Sequence, residues 1–477
     1  MDCVRANDTQ PAFSGLLIAA DRGGGGKTLV SLGLARAYRN QGFFVKAFKK
    51  GPDYIDAAWL SHASGYQTGN LDPFFLAEEA LRAHFYARMS KNATKQPMLA
   101  LIEGNRGLYD GLDVNGSCST AALARCLSIP VVLVINCTKI TRTIAALVLG
   151  LTRFEPTTPF AGVVLNQVGT MRQGALLRTV LEQETDLPVL GILPRLATNP
   201  LPERHMGIAS FGTHLALDRE QRLEALARFV ADNVDTQRLL TLASSMILPT
   251  PQRQRSPQKS AVTIGVVQDR AFWFYYPENL EELEAYGANL VPLSLTDPAA
   301  SLPEELDGLY IGGGFPEDYA QLLSESPLRP QIAALARQGL PIYAECGGFM
   351  FLAKSLVYQG KQYPMANVFD VTVTFEHTPQ GLGYTEGCIT QANPFFPVGT
   401  RLRGHEFHYS RIQDPNHAFV MTLTKGHGMQ KVAEHAFDGL TRHNVWASYT
   451  HIFAPAVPAW APRFVELAKT YKSAKKS

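Results

Sequence analysis

Short apolar runs recur along the chain, and most stop at a glycine or a polar residue. Segments 15–20 (GLLIAA), 43–48, 97–102, 131–136 and 162–167 are brief and almost wholly apolar. That pattern predicts strands buried on both faces of a sheet. Helical patterns separate them, as at 29–40. Strands alternating with helices predict an α/β fold with a parallel sheet wrapped on both sides. Ligands of such sheets bind at the carboxyl ends of the strands. The alternation breaks at 249–260 (PTPQRQRSPQKS), which has nothing to place in a core and reads as a linker. A second α/β pattern then begins with a strand at 262–267 and continues with strands at 308–311 and 341–345. The expected domains are 1–248 and 261–477.

Length agrees, since 477 residues at about 150 per domain call for two or three cores. Forty-four basic against 42 acidic residues leave a net charge of +2, which gives no reason to expect nucleic acid. The polar start predicts no signal peptide, and no window reaches the ~18 apolar residues of a membrane span. The six cysteines form no CxxC pair. This predicts no zinc site and a reducing, cytoplasmic setting.

Three strand ends carry candidate chemistry in the first half. After the first strand comes Asp21-Arg22-Gly23-Gly24-Gly25-Gly26-Lys27-Thr28, then a helix. This is a P-loop layout, with Asp21 where the strict pattern has glycine. Gly23, Gly24, Gly25 and Gly26 would turn backbone N–H groups toward the phosphates of ATP. Lys27 would reach the β- and γ-phosphates, and Thr28 would hold Mg²⁺. After the second strand, Lys49-Lys50-Gly51-Pro52-Asp53-Tyr54-Ile55-Asp56 could bind phosphate, metal or a carboxylate substrate. After the third, Glu103 stands where a Walker-B acid binds Mg²⁺, followed by a glycine-rich loop with Tyr109 and Asp110. Asn136 and Asn166 end two further strands and could read a nucleobase or cap a turn.

In the second half, Tyr343-Ala344-Glu345-Cys346-Gly347-Gly348-Phe349-Met350 has the layout of a nucleophile elbow. Gly312-Gly313-Gly314, at another strand end, could supply oxyanion-hole N–H groups together with Gly347. A thiol nucleophile needs a base. His377, His405, His408, His427, His435, His443 and His451 are all candidates, because spacing alone cannot select a triad partner.

Taken together, GPDYID (51–56), GNLD (69–72), EGNRGLYDG (103–111), PERHMGI (202–208), FYYPENL (274–280), GLYIGGGFPE (308–317), YAECGGFM (343–350) and GHEFHYS (404–410) closely resemble the cobyrinic acid a,c-diamide synthase family. The resemblance implies a dethiobiotin-synthetase-like P-loop domain followed by a class I glutamine amidotransferase-like domain. It implies that ATP phosphorylates a substrate carboxylate and that Cys346 hydrolyses glutamine with His451 as base. The ammonia then displaces phosphate to leave an amide. The substrates implied are glutamine, ATP and a tetrapyrrole, with a homodimer as the candidate assembly. Asp53 joins Thr28 and Glu103 as the expected metal set. Lys49, Lys50, Asp56, Asp72, Tyr109 and Asp110, with the aromatics Trp59, Phe74 and Phe75, are expected around the substrate. Cobyrinate is the first choice of macrocycle. Ala57 and Tyr66-Gln67 depart from the family pattern in loops expected to face the substrate, which keeps sirohaem and nickel-sirohydrochlorin open. Phe453 stands where class I glutaminases usually place a glutamate. A MinD/ParA-like ATPase switch and a scaffold with a decayed glutaminase are the competing readings.

Overall fold

The computed structural model describes residues 12–476 apart from 92–95, 197, 199–200, 202, 205–206, 209–215, 250–260 and 414–416. The expected linker, except for Pro249, therefore lies outside the described residues, as do Pro202, His205 and Met206 of PERHMGI. The chain divides into two compact units, Met1–Gln254 and Arg255–Ser477.

The first unit is built on the strands β1 (Ala12–Ala20), β2 (Phe44–Lys50), β3 (Gly69–Leu71), β4 (Met98–Glu103), β5 (Val131–Asn136), β6 (Phe160–Val168) and β7 (Val189–Pro194). They run parallel in the order β3-β2-β4-β1-β5-β6-β7, and Ser244–Ile247 pairs antiparallel to β1. Leu16, Leu17, Leu99, Leu101, Val132 and Val134 are fully buried, as expected of strands covered on both faces. Helix α1 (Lys27–Asn40) starts directly after the glycine loop. It buries Val30, Leu34 and Tyr38 in one apolar cluster with Leu226 and Val230.

One boundary shift matters chemically. The second strand runs on through Lys49 and Lys50 instead of stopping at residue 48. In register, Lys49 faces Glu103 on β4, and Ile18 of β1 faces Glu103 from the other side. An acid and a base placed side by side at the carboxyl edge of a buried sheet must neutralise each other.

The second unit holds a six-stranded sheet in the order Ala288–Leu293, Val262–Val267, Gly308–Ile311, Ile342–Glu345, Val445–Ser448, Leu440–Arg442. All are parallel except the last. A six-stranded antiparallel sheet, not foreseen from the sequence, includes Gly381–Ile389, Arg401–His408 and His451–Ile452. The chain passes from Val445–Ser448 in one sheet to His451–Ile452 in the other through a two-residue turn. Buried Asp438 holds that turn, accepting hydrogen bonds from Tyr449 N (3.0 Å), Thr450 N (2.9 Å) and the Thr450 hydroxyl (2.7 Å).

Gly348 shows how tightly the elbow is packed. A Cβ there would lie 2.2 Å from the Ile311 carbonyl oxygen, and backbone in a central strand cannot yield. Gly348→Ala is expected to cost about 3 kcal/mol. Urea unfolding of the full chain, followed by the fluorescence of Trp446 and Trp460, measures it; an unchanged midpoint refutes the steric argument.

Candidate active sites, one in each unit

In the first unit the glycine loop turns through left-handed backbone at Gly24 (φ 72°) and Gly26 (φ 100°). Gly26 is required twice over, since a Cβ there would also lie 2.0 Å from Asn166 Nδ2. Asn166 donates to Gly25 O (3.1 Å), and its Oδ1 accepts from Gln167 N (2.9 Å). It thus braces the loop from beneath. Asn136 likewise caps a turn through Thr138 N (2.9 Å).

Lys27 Nζ donates to Arg106 O (2.6 Å) and Arg22 O (3.3 Å), so the loop after β4 and the glycine loop share one cation. Burial and the neighbouring charge of Lys49 hold the Lys27 ammonium below its usual range. The Thr28 hydroxyl donates to Glu103 Oε1 (2.7 Å). Glu103 is wholly buried, and its Oε2 has no hydrogen-bond partner among the described residues. Burial pushes its carboxyl upward.

Lys49 lies at the centre of this cluster. Its Nζ is 2.5 Å from Asp56 Oδ2, 2.8 Å from Glu103 Oε1 and 3.8 Å from Asp53 Oδ2. Burial opposes its charge, but the three carboxylates outweigh burial and hold the ammonium above its ordinary value. Asp53 and Asp56 share one cation and diverge. Burial and then Asp56 raise Asp53 to about 7, whereas Asp56 is lowered because Lys49 outweighs the burial that opposes it. Asp53 Oδ1 also accepts Asp56 N (3.0 Å) at the start of helix α2 (Ile55–Ser64).

Most of the residues expected around the substrate are buried. Lys49 is 2% exposed, and its charge is taken up inside the protein. Lys50 is 5% exposed and is depressed by burial. Asp72 is buried and shapes its own turn through Phe74 N (2.9 Å). Trp59 is a core residue, and Phe74 and Phe75 are buried. Asp110 is exposed and pins the loop by accepting Gly107 N (2.8 Å). The Tyr109 hydroxyl donates to Leu151 O, and its ring packs edge-on against exposed Phe154.

The family departures separate as well. Ala57 lies in the first turn of α2, beside Asp53 and Asp56. The Tyr66 ring packs at a tilt against Phe44 (4.4 Å between centroids), at the amino end of β2, and Gln67 O accepts from Lys46 Nζ (2.5 Å). Residues 66–67 thus sit toward the amino edge of the sheet, whereas the P-loop follows the carboxyl end of β1.

In the second unit, Cys346 occupies the elbow with φ 50° and ψ −105°, a strained conformation for a residue bearing a Cβ. Its thiol is buried; burial and the nearby Glu317 push it upward, while the Gly347 N–H pulls the other way. Burial thus favours the neutral thiol, and a nucleophile at this position calls for a base. Of the candidate histidines, His377, His427, His435 and His443 are exposed, whereas His405, His408 and His451 are buried. His408 is engaged by Ser410 O (2.8 Å) and Glu406 Oε2 (3.3 Å) and stacks on Tyr449. His405 lies opposite His451 in register and stacks on it at 4.8 Å. His451 borders the glycine loop: a Cβ on Gly313 would lie 2.4 Å from its Cε1. One on Gly347 would lie 3.2 Å from Gly314 N. Gly313, Gly314, Gly347 and His451 thus converge beside the elbow.

Sequence reading passed over Glu345, although it was visible as an acid inside an apolar strand. Its Oε2 lies 3.7 Å from His451 Nδ1.

Residues 16–208 match the CobQ/CobB/MinD/ParA nucleotide binding domain, and residues 263–457 match the CobB/CobQ-like glutamine amidotransferase domain. A P-loop unit followed by a glutamine amidotransferase unit defines a class of glutamine-hydrolysing ligases. Cobyrinate a,c-diamide synthase of Magnetococcus marinus is 38% identical over 458 residues, covering 94% of this chain and 95% of that protein. The protein of that name from Caldanaerobacter subterraneus is 37% identical over 460 residues, 95% of this chain and 98% of its own. The one from Listeria monocytogenes is 36% identical over 441 residues, 92% and 95%. The chain belongs to the cobyrinate a,c-diamide synthase family.

Proposed function

We propose that the chain uses ATP and glutamine to convert the a and c acetate carboxylates of cobyrinate to amides through acyl phosphates. The observation that carries this reading is that one chain holds both a P-loop carboxylate centre and a cysteine elbow with a buried histidine. An ATPase switch leaves the elbow without a task. The amino-edge position of Tyr66-Gln67 removes one reason to favour another macrocycle. Five free thiols among the described residues support a reducing, cytoplasmic setting. Among those residues no helix is long and apolar enough to cross a membrane.

In the first unit, the substrate carboxylate oxygen attacks the γ-phosphorus and ADP leaves, giving an acyl phosphate. The glycine loop orients the phosphates through backbone N–H groups, and Lys27 stabilises charge on the transferring group. The residues fit Mg²⁺. Glu103 presents a buried oxygen without a hydrogen-bond partner among the described residues, Thr28 a hydroxyl, and Asp53 a second carboxylate nearby. When bound there, Mg²⁺ neutralises charge on the β- and γ-phosphates. Lys49 balances the acids of this cluster and fixes where each one points.

In the second unit, His451 takes the Cys346 proton, and the thiolate attacks the glutamine carboxamide carbon. The N–H groups of Gly347 and the Gly313-Gly314 loop face the resulting oxyanion. His451 returns the proton to the departing nitrogen, giving ammonia and a thioester, which water hydrolyses to glutamate. Ammonia attacks the acyl phosphate, and phosphate leaves.

The test offers the purified chain ATP, Mg²⁺ and glutamine with cobyrinate, sirohaem or nickel-sirohydrochlorin, and reads the products by mass spectrometry. Each amidation exchanges OH for NH₂, so the two steps resolve. Diamide from cobyrinate is expected. Diamide only from another macrocycle overturns the substrate and keeps the chemistry. ATP hydrolysis with no amide from any tetrapyrrole favours the switch.

A further inference from the structure

We propose that Glu345, the residue immediately before the nucleophile, is the positioning residue that orients His451. This rests on the reading of Cys346 and His451 as the glutaminase pair. Class I glutaminases usually place a carboxylate two residues after the histidine, where this chain has Phe453. The Phe453 ring packs against Tyr276 at 5.1 Å and can accept no proton. In this chain a carboxylate near His451 Nδ1 comes instead from the nucleophile's own strand.

One buried carboxylate holds both the ring and the backbone of the histidine segment. Glu345 Oε2 lies 3.7 Å from His451 Nδ1 and accepts the Tyr310 hydroxyl at 3.0 Å. Oε1 accepts the N–H of Ile452, next in the chain, at 3.0 Å. Asn279 frames the same segment from the helix Pro277–Ala285. Its Nδ2 donates to Ile452 O (2.9 Å), and its Oδ1 accepts Ala454 N (2.7 Å). Glu345 is 1% exposed, so water does not dilute its field.

His405, Tyr276 and Glu317 do not fill this role. His405, from the strand Arg401–His408, lies flat against the His451 ring, with 17° between planes, and so meets its face and not its Nδ1 edge. Tyr276 bonds to His405 Nδ1 (3.2 Å). Glu317 lies near the Cys346 thiol. Glu345 thus supplies the carboxylate at Nδ1. At 3.7 Å the carboxylate acts on Nδ1 through its charge: a negative group there favours the proton on Nδ1, leaves the Nε2 lone pair as base, and stabilises the imidazolium that forms.

Glu345→Gln keeps the shape and removes the charge. Its amide can also donate to Nδ1 and favour the wrong tautomer. The expected kcat for glutamine hydrolysis in the full chain falls about 10²-fold, with KM changed only a few-fold. The acid limb of kcat/KM moves to lower pH, because a neutral amide no longer favours the protonated imidazole. Glu345→Asp should restore the limb toward its original position. Tyr310→Phe removes one donor from the carboxylate and should move the limb the opposite way, and it stands as an independent test if Glu345→Gln does not fold. Wild-type kcat and pH profile in Glu345→Gln overturn the proposal. So does a fall in kcat with an unmoved acid limb, which marks a packing role, or an unmoved limb in Tyr310→Phe. Glutamine hydrolysis surviving in Cys346→Ala would sink the underlying reading; its loss there beside an unaltered Glu345→Gln would sink this inference alone.

Discussion

Cys346→Ala is expected to abolish glutamine-driven amidation while amidation with ammonium salts continues. The thiol is the one group of the second unit asked to form a covalent bond, and alanine cannot form it. Removing a nucleophile that acts in concert with its base costs on the order of 10⁴-fold or more. The proposed carboxylate activation draws on Lys27, Thr28 and Glu103, which belong to the other unit. The substitution leaves the backbone strain as it is, since alanine tolerates φ 50° no better than cysteine, and it removes only one small buried side-chain atom. The folded chain should therefore be retained, and thermal unfolding checks this. The assay follows amide formation by mass spectrometry with each nitrogen donor in turn. Loss of both activities in a folded variant would show that Cys346 is not confined to glutamine hydrolysis.

The parallel sheets were legible because burial on both faces forces uninterrupted apolar runs, which only an edge or a loop can end. The strand Val262–Val267 and the glycines after Gly308–Ile311 needed no more than that. The antiparallel sheet was not legible. Its strands, such as Gly381–Ile389, alternate buried and partly exposed positions and carry Glu386 and Tyr384 among glycines. Such composition does not separate strand from loop. Charge placement was half legible. Lys49, Asp53, Asp56 and Glu103 were each visible as polar residues at strand ends. Their mutual neutralisation depends on the register that sets Lys49 opposite Glu103, and periodicity in one segment says nothing of register with another. The same limit hid Glu345. Its partner His451 is 106 residues away in sequence, and only the turn held by Asp438 brings the two together.

Lys27→Ala and Glu103→Gln are each expected to stop product formation with glutamine and with ammonium alike, which sets them apart from Cys346→Ala. Phosphoryl transfer is catalysed by position and charge, and a single misplaced or missing charge at the phosphates costs about 10²–10³-fold. Lys27 is the cation at the mouth of the glycine loop, and alanine takes its charge without touching the left-handed turn at Gly26. Glu103→Gln is the more delicate substitution. The amide oxygen can still accept from Thr28 and Lys49, and Lys49 keeps Asp56 at 2.5 Å, so the fold survives. What is lost is one negative charge and the anionic oxygen that has no hydrogen-bond partner among the described residues. Metal affinity should drop with it, because Mg²⁺ favours anionic oxygen over an amide carbonyl. ATP-dependent phosphate release and amide formation should therefore fall together, and raising Mg²⁺ should recover Glu103→Gln in part but not Lys27→Ala. Amide formation at the wild-type rate in either variant removes that residue from the active site.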